Sequence, residues 1–89
     1  MEYDMEYDTD QFVTRHPSTQ HMISMLKPNP NLPHPQRCIA NDCWELAEQF
    51  VNDIPDSPEL TAGLRKLLEA KDCFIRASLD LSPVDYRDR

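Results

Sequence analysis

Apolar residues recur at helical spacing in the middle of the chain. From Pro35 to about Asp53 they form one stripe when successive residues are placed about 100° apart. The stripe consists of Ile39, Cys43, Leu46, Ala47, Phe50, Val51 and Ile54. The opposite side carries Arg37, Asn41, Glu45, Glu48 and Asn52. We therefore predict an amphipathic helix over residues 35–53, with Pro35 in its first turn.

A second helical stripe follows a short turn bounded by prolines. Pro55 ends the first helix, Ser57 is a suitable N-cap, and Pro58 suits a first helical position. The apolar side then carries Leu60, Leu64, Leu67, Leu68, Phe74 and Ile75, with Arg65, Glu69, Asp72 and Arg76 opposite. This pattern predicts a helix over residues 58–79. Because the connection is short, we expect the two helices to form an antiparallel hairpin.

Prolines are crowded into residues 17–35, ahead of and at the start of this hairpin. They leave room for only one short helix, over about residues 18–27, for which Ser18 is a suitable N-cap. Together with the hairpin, this segment makes an all-α domain of residues 11–80.

Both ends of the chain are predicted to be tails. Residues 1–10 contain five acidic side chains and no basic one, which is typical of a disordered segment. The sequence Met-Glu-Tyr-Asp occurs twice there, so Met5 is an alternative start to Met1. Residues 81–89 are polar and include a proline, and we expect a C-terminal tail.

The apolar stripes are too wide for two helices to bury against each other. Each helix covers only one side of its partner, and the proline-rich segment covers part of what remains. A chain of 89 residues also has little core of its own. Further copies of the chain would cover the rest at least cost, so we predict a homo-oligomer.

Composition narrows the class of protein further. One glycine beside eight prolines disfavours β-hairpins, whose turns need positive φ. The three cysteines, Cys38, Cys43 and Cys73, lack paired spacing, which favours reduced thiols. No apolar run is as long as a membrane span, and the acidic N-terminus is unlike a signal peptide. We therefore expect a protein of the cytosol.

The net charge of −7 argues against some partners. Duplex nucleic acid and anionic membranes attract clusters of lysine and arginine, and this chain has none. A small anionic ligand held by a few placed cations remains compatible with the charge.

Few residues suggest specific chemistry. Lys71 lies near the centre of an apolar stripe, where its amine either reaches the edge of the core or an acid, or binds a phosphate or carboxylate. Arg15 and His16 precede the first helix, as part of either a solvated loop or a binding site. The histidines and cysteines include no CxxC or HxxxH pair, so we expect no metal. No phosphate loop or nucleophile elbow is present, and we expect neither an enzyme nor a cofactor.

Four short motifs are shared with a known family. They are Phe12-Val13-Thr14-Arg15-His16-Pro17, Arg37 with Leu46-Ala47, Pro55-Asp56-Ser57, and Leu67-Leu68-Glu69-Ala70. With them, residues 35–79 resemble the helical-hairpin domain shared by phage anti-CBASS and anti-Thoeris proteins, sponges that sequester cyclic-nucleotide immune signals. The chain departs from that family at Arg15, where a tyrosine is common. It also departs at residues 73–76, where the family has Trp-Ala-Asn-Ala.

The resemblance implies a non-enzymatic homo-oligomer, often a hexamer, that binds cyclic oligonucleotides or cyclic ADP-ribose-type signals between subunits and releases them intact. A phage-encoded protein of this kind would act in the cytosol of the host cell. Phosphates and flat bases call for a few cations and for planar groups that stack. The residues expected to supply them are Arg15, His16, Lys27, Arg65, Lys71 and Arg76.

Two other interpretations remain open. The acidic tail and an exposed edge of Trp44 would suit a protein-binding module or an acidic inhibitor of a host protein. Alternatively, the chain is a structural hairpin without a ligand, in which Lys71 merely extends its amine to the surface.

Overall fold

The computed structural model describes residues 10–81, and in this range the chain is helical throughout except for short connections. A 3-10 helix at Asp10–Phe12 is followed by α1 at Pro17–Leu26, α2 at His34–Asp53 and α3 at Pro58–Ala77. No strand occurs in residues 10–81, so the predicted all-α class is confirmed. The predicted tails lie outside the described residues, apart from Asp10 and Leu81.

Proline and serine set the helix boundaries much as the sequence predicts, to within two residues. Pro17, Pro35 and Pro58 all lie in first turns, where a missing N–H costs nothing. Ser57 caps α3, since its hydroxyl accepts a hydrogen bond from the backbone N–H of Leu60 at 3.0 Å.

The cap of α1 differs from the prediction. Because the helix starts at Pro17, the N-cap is His16 rather than Ser18. The His16 Nδ1 atom accepts a hydrogen bond from the Ser18 backbone N–H at 3.1 Å, which is the role normally filled by a serine or aspartate oxygen. The Ser18 hydroxyl therefore does not cap α1.

α1 packs on α2 and α3 and completes one hydrophobic core. The core consists of Phe12, Met22, Ile23, Leu26, Trp44, Ala47, Val51, Leu60 and Leu64, with Leu67 and Leu68 packed against it. The prediction of an exposed edge on Trp44 was wrong, because this side chain is only 3% exposed. An indole buried to this extent belongs to the core and offers no surface for a partner.

The buried side of α2 is turned relative to the predicted stripe. Cys43, Ala47 and Val51 are buried as expected, but Leu46 and Phe50 remain 41% and 40% exposed. Ala40 and Trp44, outside the predicted stripe, are buried instead, together with Gln36. The reason is that α1 covers one side of α2 and leaves part of its apolar stripe uncovered.

The start of α2 lies beside the end of α3. The buried Gln36 side chain donates from Nε2 to the backbone oxygen and to the hydroxyl of Ser78, both at 2.9 Å. At their other ends the two helices are joined by the short segment 54–57. In residues 10–81, no helix is both long enough and apolar enough to cross a lipid bilayer.

Candidate functional site

A polar cleft opens where the first turns of α1 and α3 meet. Its volume is about 530 Å³, within the usual range for small-molecule sites. Its lining residues are His16, Ser18, Thr19, Asp56, Ser57, Pro58, Thr61 and Arg65. Hydroxyl, imidazole and guanidinium groups thus surround one opening, and two of the predicted ligand-binding residues, His16 and Arg65, lie in it.

Asp56 is the hub of a hydrogen-bond network on one wall of this cleft. Its Oδ1 atom accepts from Arg15 Nε at 3.1 Å and from the Thr19 hydroxyl at 2.8 Å, while Oδ2 accepts from the His16 backbone N–H at 2.9 Å. These bonds, led by that from the Arg15 side chain, lower the pKa of the Asp56 carboxyl to about 2. Asp56 is therefore a carboxylate at any physiological pH, with its charge balanced by Arg15.

The Arg15 side chain bonds to the C-terminal end of α2 and to the connection that follows it. Besides its 3.0 Å ion pair with Asp56, it donates from Nη1 to the backbone oxygen of Val51 and from Nη2 to that of Ile54 at 2.8 Å. These two carbonyl groups belong to the C-terminal end of α2, where a cation is favourable. We refer to this set of contacts as the Arg15 clasp. The predicted contact between Arg15 and a ligand stays a prediction.

His16 presents one ring nitrogen for further bonding. Nδ1 accepts from the Ser18 backbone N–H and lies 2.9 Å from the Ser18 hydroxyl, so the neutral ring carries its hydrogen on Nε2. The Ser18 hydroxyl in turn lies 3.2 Å from the Thr61 hydroxyl and links α1 to α3 across the cleft. The cap of α1 thus also orients the His16 ring.

Arg65 lies one helical turn beyond Thr61 on α3, and its side chain is exposed. A guanidinium in this position is accessible to a ligand in the cleft, and it is the group best suited to bind a phosphate with two parallel hydrogen bonds.

The other predicted cations lie away from this cleft. Lys27 lines a separate cleft of about 240 Å³ beside α1, with Phe12, Gln20, Ile23 and Ser24. Arg76 is exposed near the end of α3, where its Nη2 atom lies 3.3 Å from the Cys73 sulfur. Neither residue belongs to the set that surrounds the polar cleft.

The Lys71 side chain is buried, and its amine contacts the end of α1. It is 9% exposed, and its ammonium donates to the backbone oxygen of Met25 at 3.4 Å. That oxygen is one of the last carbonyls of α1, which favour a nearby positive charge. The charge also lies close enough to Cys43 to oppose the burial that raises the pKa of that thiol. This contact accounts for a lysine inside an apolar stripe, while a ligand contact at Lys71 remains a prediction.

An apolar face lies between α2 and α3. It bears two grooves, of about 490 and 290 Å³, which both include Leu67. Its large exposed side chains are Leu46, Phe50, Ile54, Phe74 and Leu81. The most exposed of these, Phe74, was predicted to lie on the apolar side of α3 and is 57% exposed.

The hydroxyl groups and the carboxylate of the cleft were missed by reasoning from sequence. Ser18, Thr19 and Thr61 are ordinary residues of the first turns of α1 and α3, and Asp56 belongs to the short connection before α3. Only their convergence in space makes a cleft. One signal was available, because the motif containing Arg15 and the turn containing Asp56 both belong to the resemblance described above. Comparisons of the chain with family models, with curated proteins and with solved structures found no match.

Proposed function

We propose that the protein is a non-enzymatic sponge that binds a cyclic oligonucleotide or a cyclic ADP-ribose-type signal and keeps it intact. The observation that carries the proposal is the polar cleft. It brings together His16 and Arg65, which are far apart in the sequence and were both predicted to contact the ligand. The resemblance to phage anti-CBASS and anti-Thoeris proteins gives the proposed setting, a phage protein that acts in the host cytosol.

The chemistry of the cleft suits such a ligand. Arg65 offers a planar, permanently charged donor to a phosphate diester, and the His16 ring offers a flat surface to a base. When the Ser18 hydroxyl donates to His16 Nδ1 or to Thr61, the Thr61 hydroxyl can donate to a phosphate or ribose oxygen. Asp56 repels a phosphate less than an isolated carboxylate would, because the Arg15 guanidinium neutralises its charge.

We propose that the ligand is not cleaved, and the side chains of the cleft support this. Cleavage of a phosphodiester would require a general base or an activated nucleophile near the cleft. Asp56 has a pKa of about 2 and already accepts hydrogen bonds from Arg15, His16 and Thr19, so it is a poor base. The neutral His16 ring is poorly placed as a base too, since Nδ1 accepts from the Ser18 backbone N–H and Nε2 carries the hydrogen. We therefore propose retention of the ligand without turnover.

We further propose that α2 and α3 form an antiparallel hairpin and that copies of the chain associate through the apolar face. The contact of Gln36 with Ser78 and the short connection 54–57 support the hairpin. Exposed Leu46, Phe50 and Phe74 support association, since apolar patches of this kind on small domains usually mark interfaces.

The proposal is tested by thermal unfolding with cyclic dinucleotides, cyclic trinucleotides and cyclic ADP-ribose isomers. A ligand bound by the folded state at 100 times its Kd stabilises that state by about 2.7 kcal/mol. We expect one ligand class to raise the midpoint and to be recovered intact after denaturation. Arg65→Met should abolish the rise, whereas Lys66→Met, which removes the same charge at the neighbouring exposed position, should preserve it.

Two results would contradict the proposal. One is the lack of any rise with all members of the panel. The other is an equal loss in the Arg65→Met and Lys66→Met proteins, which would mean that binding follows overall charge rather than the cleft.

A protein-binding module is the second candidate, and a different surface now favours it. The acidic tail lies outside the described residues and Trp44 is buried, so the support comes from the apolar face and its exposed Phe74. Under this second candidate Phe74→Ser would abolish capture of such a partner, Arg65→Met would not, and no member of the cyclic nucleotide panel would raise the midpoint of the wild-type protein.

A further inference from the structure

We propose that the N-cap of α1 is a pH-sensitive switch, which holds one wall of the polar cleft in place only while the His16 ring is neutral. Imidazole is the side chain that ordinarily changes its charge between about pH 8 and about pH 5. A cap made by a serine or asparagine oxygen does not change in this range. The inference concerns the folding of the cleft wall, so it stands whether or not a ligand binds there.

The cap depends on the lone pair of one ring nitrogen. His16 Nδ1 accepts from the Ser18 backbone N–H at 3.1 Å and lies 2.9 Å from the Ser18 hydroxyl. A neutral ring with its hydrogen on Nε2 provides this lone pair. A protonated ring carries a hydrogen on both nitrogens, so Nδ1 would then direct an N–H at the N–H of Ser18. The two groups would have to move apart.

The protonated ring keeps a partner but loses the cap. It can still donate from Nδ1 to the Ser18 hydroxyl. The Ser18 backbone N–H loses its acceptor, because the first amide groups of a helix have no partner inside the helix. The backbone oxygen of His16 still accepts from the Gln20 N–H at 3.0 Å, whatever the charge of the ring. Protonation therefore loosens the first turn of α1 and leaves the rest of the helix in place.

The charges that surround the ring oppose its protonation on balance. Among the residues that line the cleft the carboxylate is Asp56, whose charge is balanced by Arg15, while Arg65 on α3 adds a positive charge. The acid in the first turn of α3, Glu59, lines the apolar groove instead. The first turn of α1 has no acid, and the N-termini of both helices carry a partial positive charge. The unfolded chain should therefore bind the proton more readily, and stability should fall as the pH is lowered through the range of histidine.

The turn that the cap holds is also a wall of the cleft. Ser18 and Thr19 line the cleft beside His16, and the Ser18 hydroxyl lies 3.2 Å from the Thr61 hydroxyl of α3. Loosening of this turn weakens the link between α1 and α3. We therefore expect the cleft to be fully formed at about pH 8 and open on its α1 side at about pH 5.

The test is thermal unfolding of the ligand-free, full-length protein at about pH 8 and about pH 5, at one fixed protein concentration. Loss of an N-cap lowers the Tm of a domain of this size by about 4–8 °C. His16→Asn provides a cap that keeps its acceptor at both pH values, so its fall in Tm should be smaller than that of the wild type by about this amount. His21→Asn is the matched control, at an exposed histidine inside α1, and should fall as far as the wild type.

A second measurement reads the cap directly by NMR. In the wild-type protein the nitrogen resonances of the His16 ring should place its hydrogen on Nε2 at about pH 8, and the Ser18 amide proton should shift together with the ring protons as the pH falls. His16→Asn should abolish this shift and His21→Asn should preserve it. The proposal is overturned if His16→Asn loses as much Tm as the wild type, if the His16 hydrogen lies on Nδ1, or if the Ser18 amide does not follow the ring.

Discussion

Substitution of Gln36 by leucine tests the packing of α2 against α3 directly. Gln36 is 5% exposed and donates two hydrogen bonds to Ser78, which is itself 3% exposed. Leucine has a similar size and cannot donate. It would leave the backbone oxygen of Ser78 buried without this donor, and it would remove the tie between the start of α2 and the end of α3.

The expected loss follows from the number and kind of bonds. A neutral hydrogen bond contributes about 0.5–1.5 kcal/mol to stability, so two of them contribute about 1–3 kcal/mol. For a domain of this size each kcal/mol corresponds to a shift of about 4–8 °C in Tm. Urea unfolding at one fixed protein concentration should therefore give a lower midpoint with an unchanged slope.

Two comparisons make the Gln36 experiment decisive. Gln49→Leu makes the same change at an exposed position of α2 and should alter stability by less than about 0.5 kcal/mol. In a double-mutant cycle, Gln36→Leu and Ser78→Ala should be coupled by about 0.5 kcal/mol or more, as residues in contact are. The reasoning is refuted if Gln36→Leu is no worse than Gln49→Leu and the two changes at 36 and 78 are additive.

Two further predictions concern the turn and α3. The pKa of the Asp56 carboxyl is lowered to about 2 from an ordinary 3.8. The Asp56 charge therefore stabilises the folded state fully above pH 3.8, and this stabilisation is lost as the pH falls towards 2. Asp56→Asn should therefore be less stable than the wild type near neutral pH, with a difference that shrinks from about pH 4 to about pH 2 in urea titrations; a constant difference would contradict the assignment. Gly63 is exposed within α3 and a Cβ there would meet nothing within 4 Å, so Gly63→Ala should raise the free energy of unfolding by about 0.8–1.0 kcal/mol. A fall in the free energy of unfolding would contradict this prediction.

The sequence predicts the helices well because their boundaries are set locally. Proline cannot donate an N–H, and the Ser57 hydroxyl caps α3 by accepting from a backbone N–H three residues away, so Pro17, Ser57 and Pro58 act without help from distant residues. Which side of α2 is buried depends instead on where α1 packs. That is a long-range property, and it explains why Trp44 is buried and Phe50 is not.

The candidate site was predicted only in part for the same reason. His16 and Arg65 stand out in the sequence as a motif residue and a helix-surface cation, and both line the cleft. Arg15 and Lys71 carry similar charges, yet each also satisfies backbone carbonyl groups of a neighbouring element. Residue type alone does not distinguish a cation that supports the fold from one that faces a cleft, because the difference lies in which carbonyls are within reach.

The Arg15 clasp also has a consequence for how the chain is made. Its donor and its carboxylate partner are 41 residues apart, so the partner is synthesised well after the arginine. At about 5–20 residues per second, Arg15 waits about 2–8 s on the ribosome before Asp56 is added. Throughout that interval α1 lacks the anchor that fixes its start, and its apolar side chains Met22, Ile23 and Leu26 have no finished core to enter. The packing of α1 therefore cannot be completed until residues 56–64 have been made, although α1 itself is made much earlier.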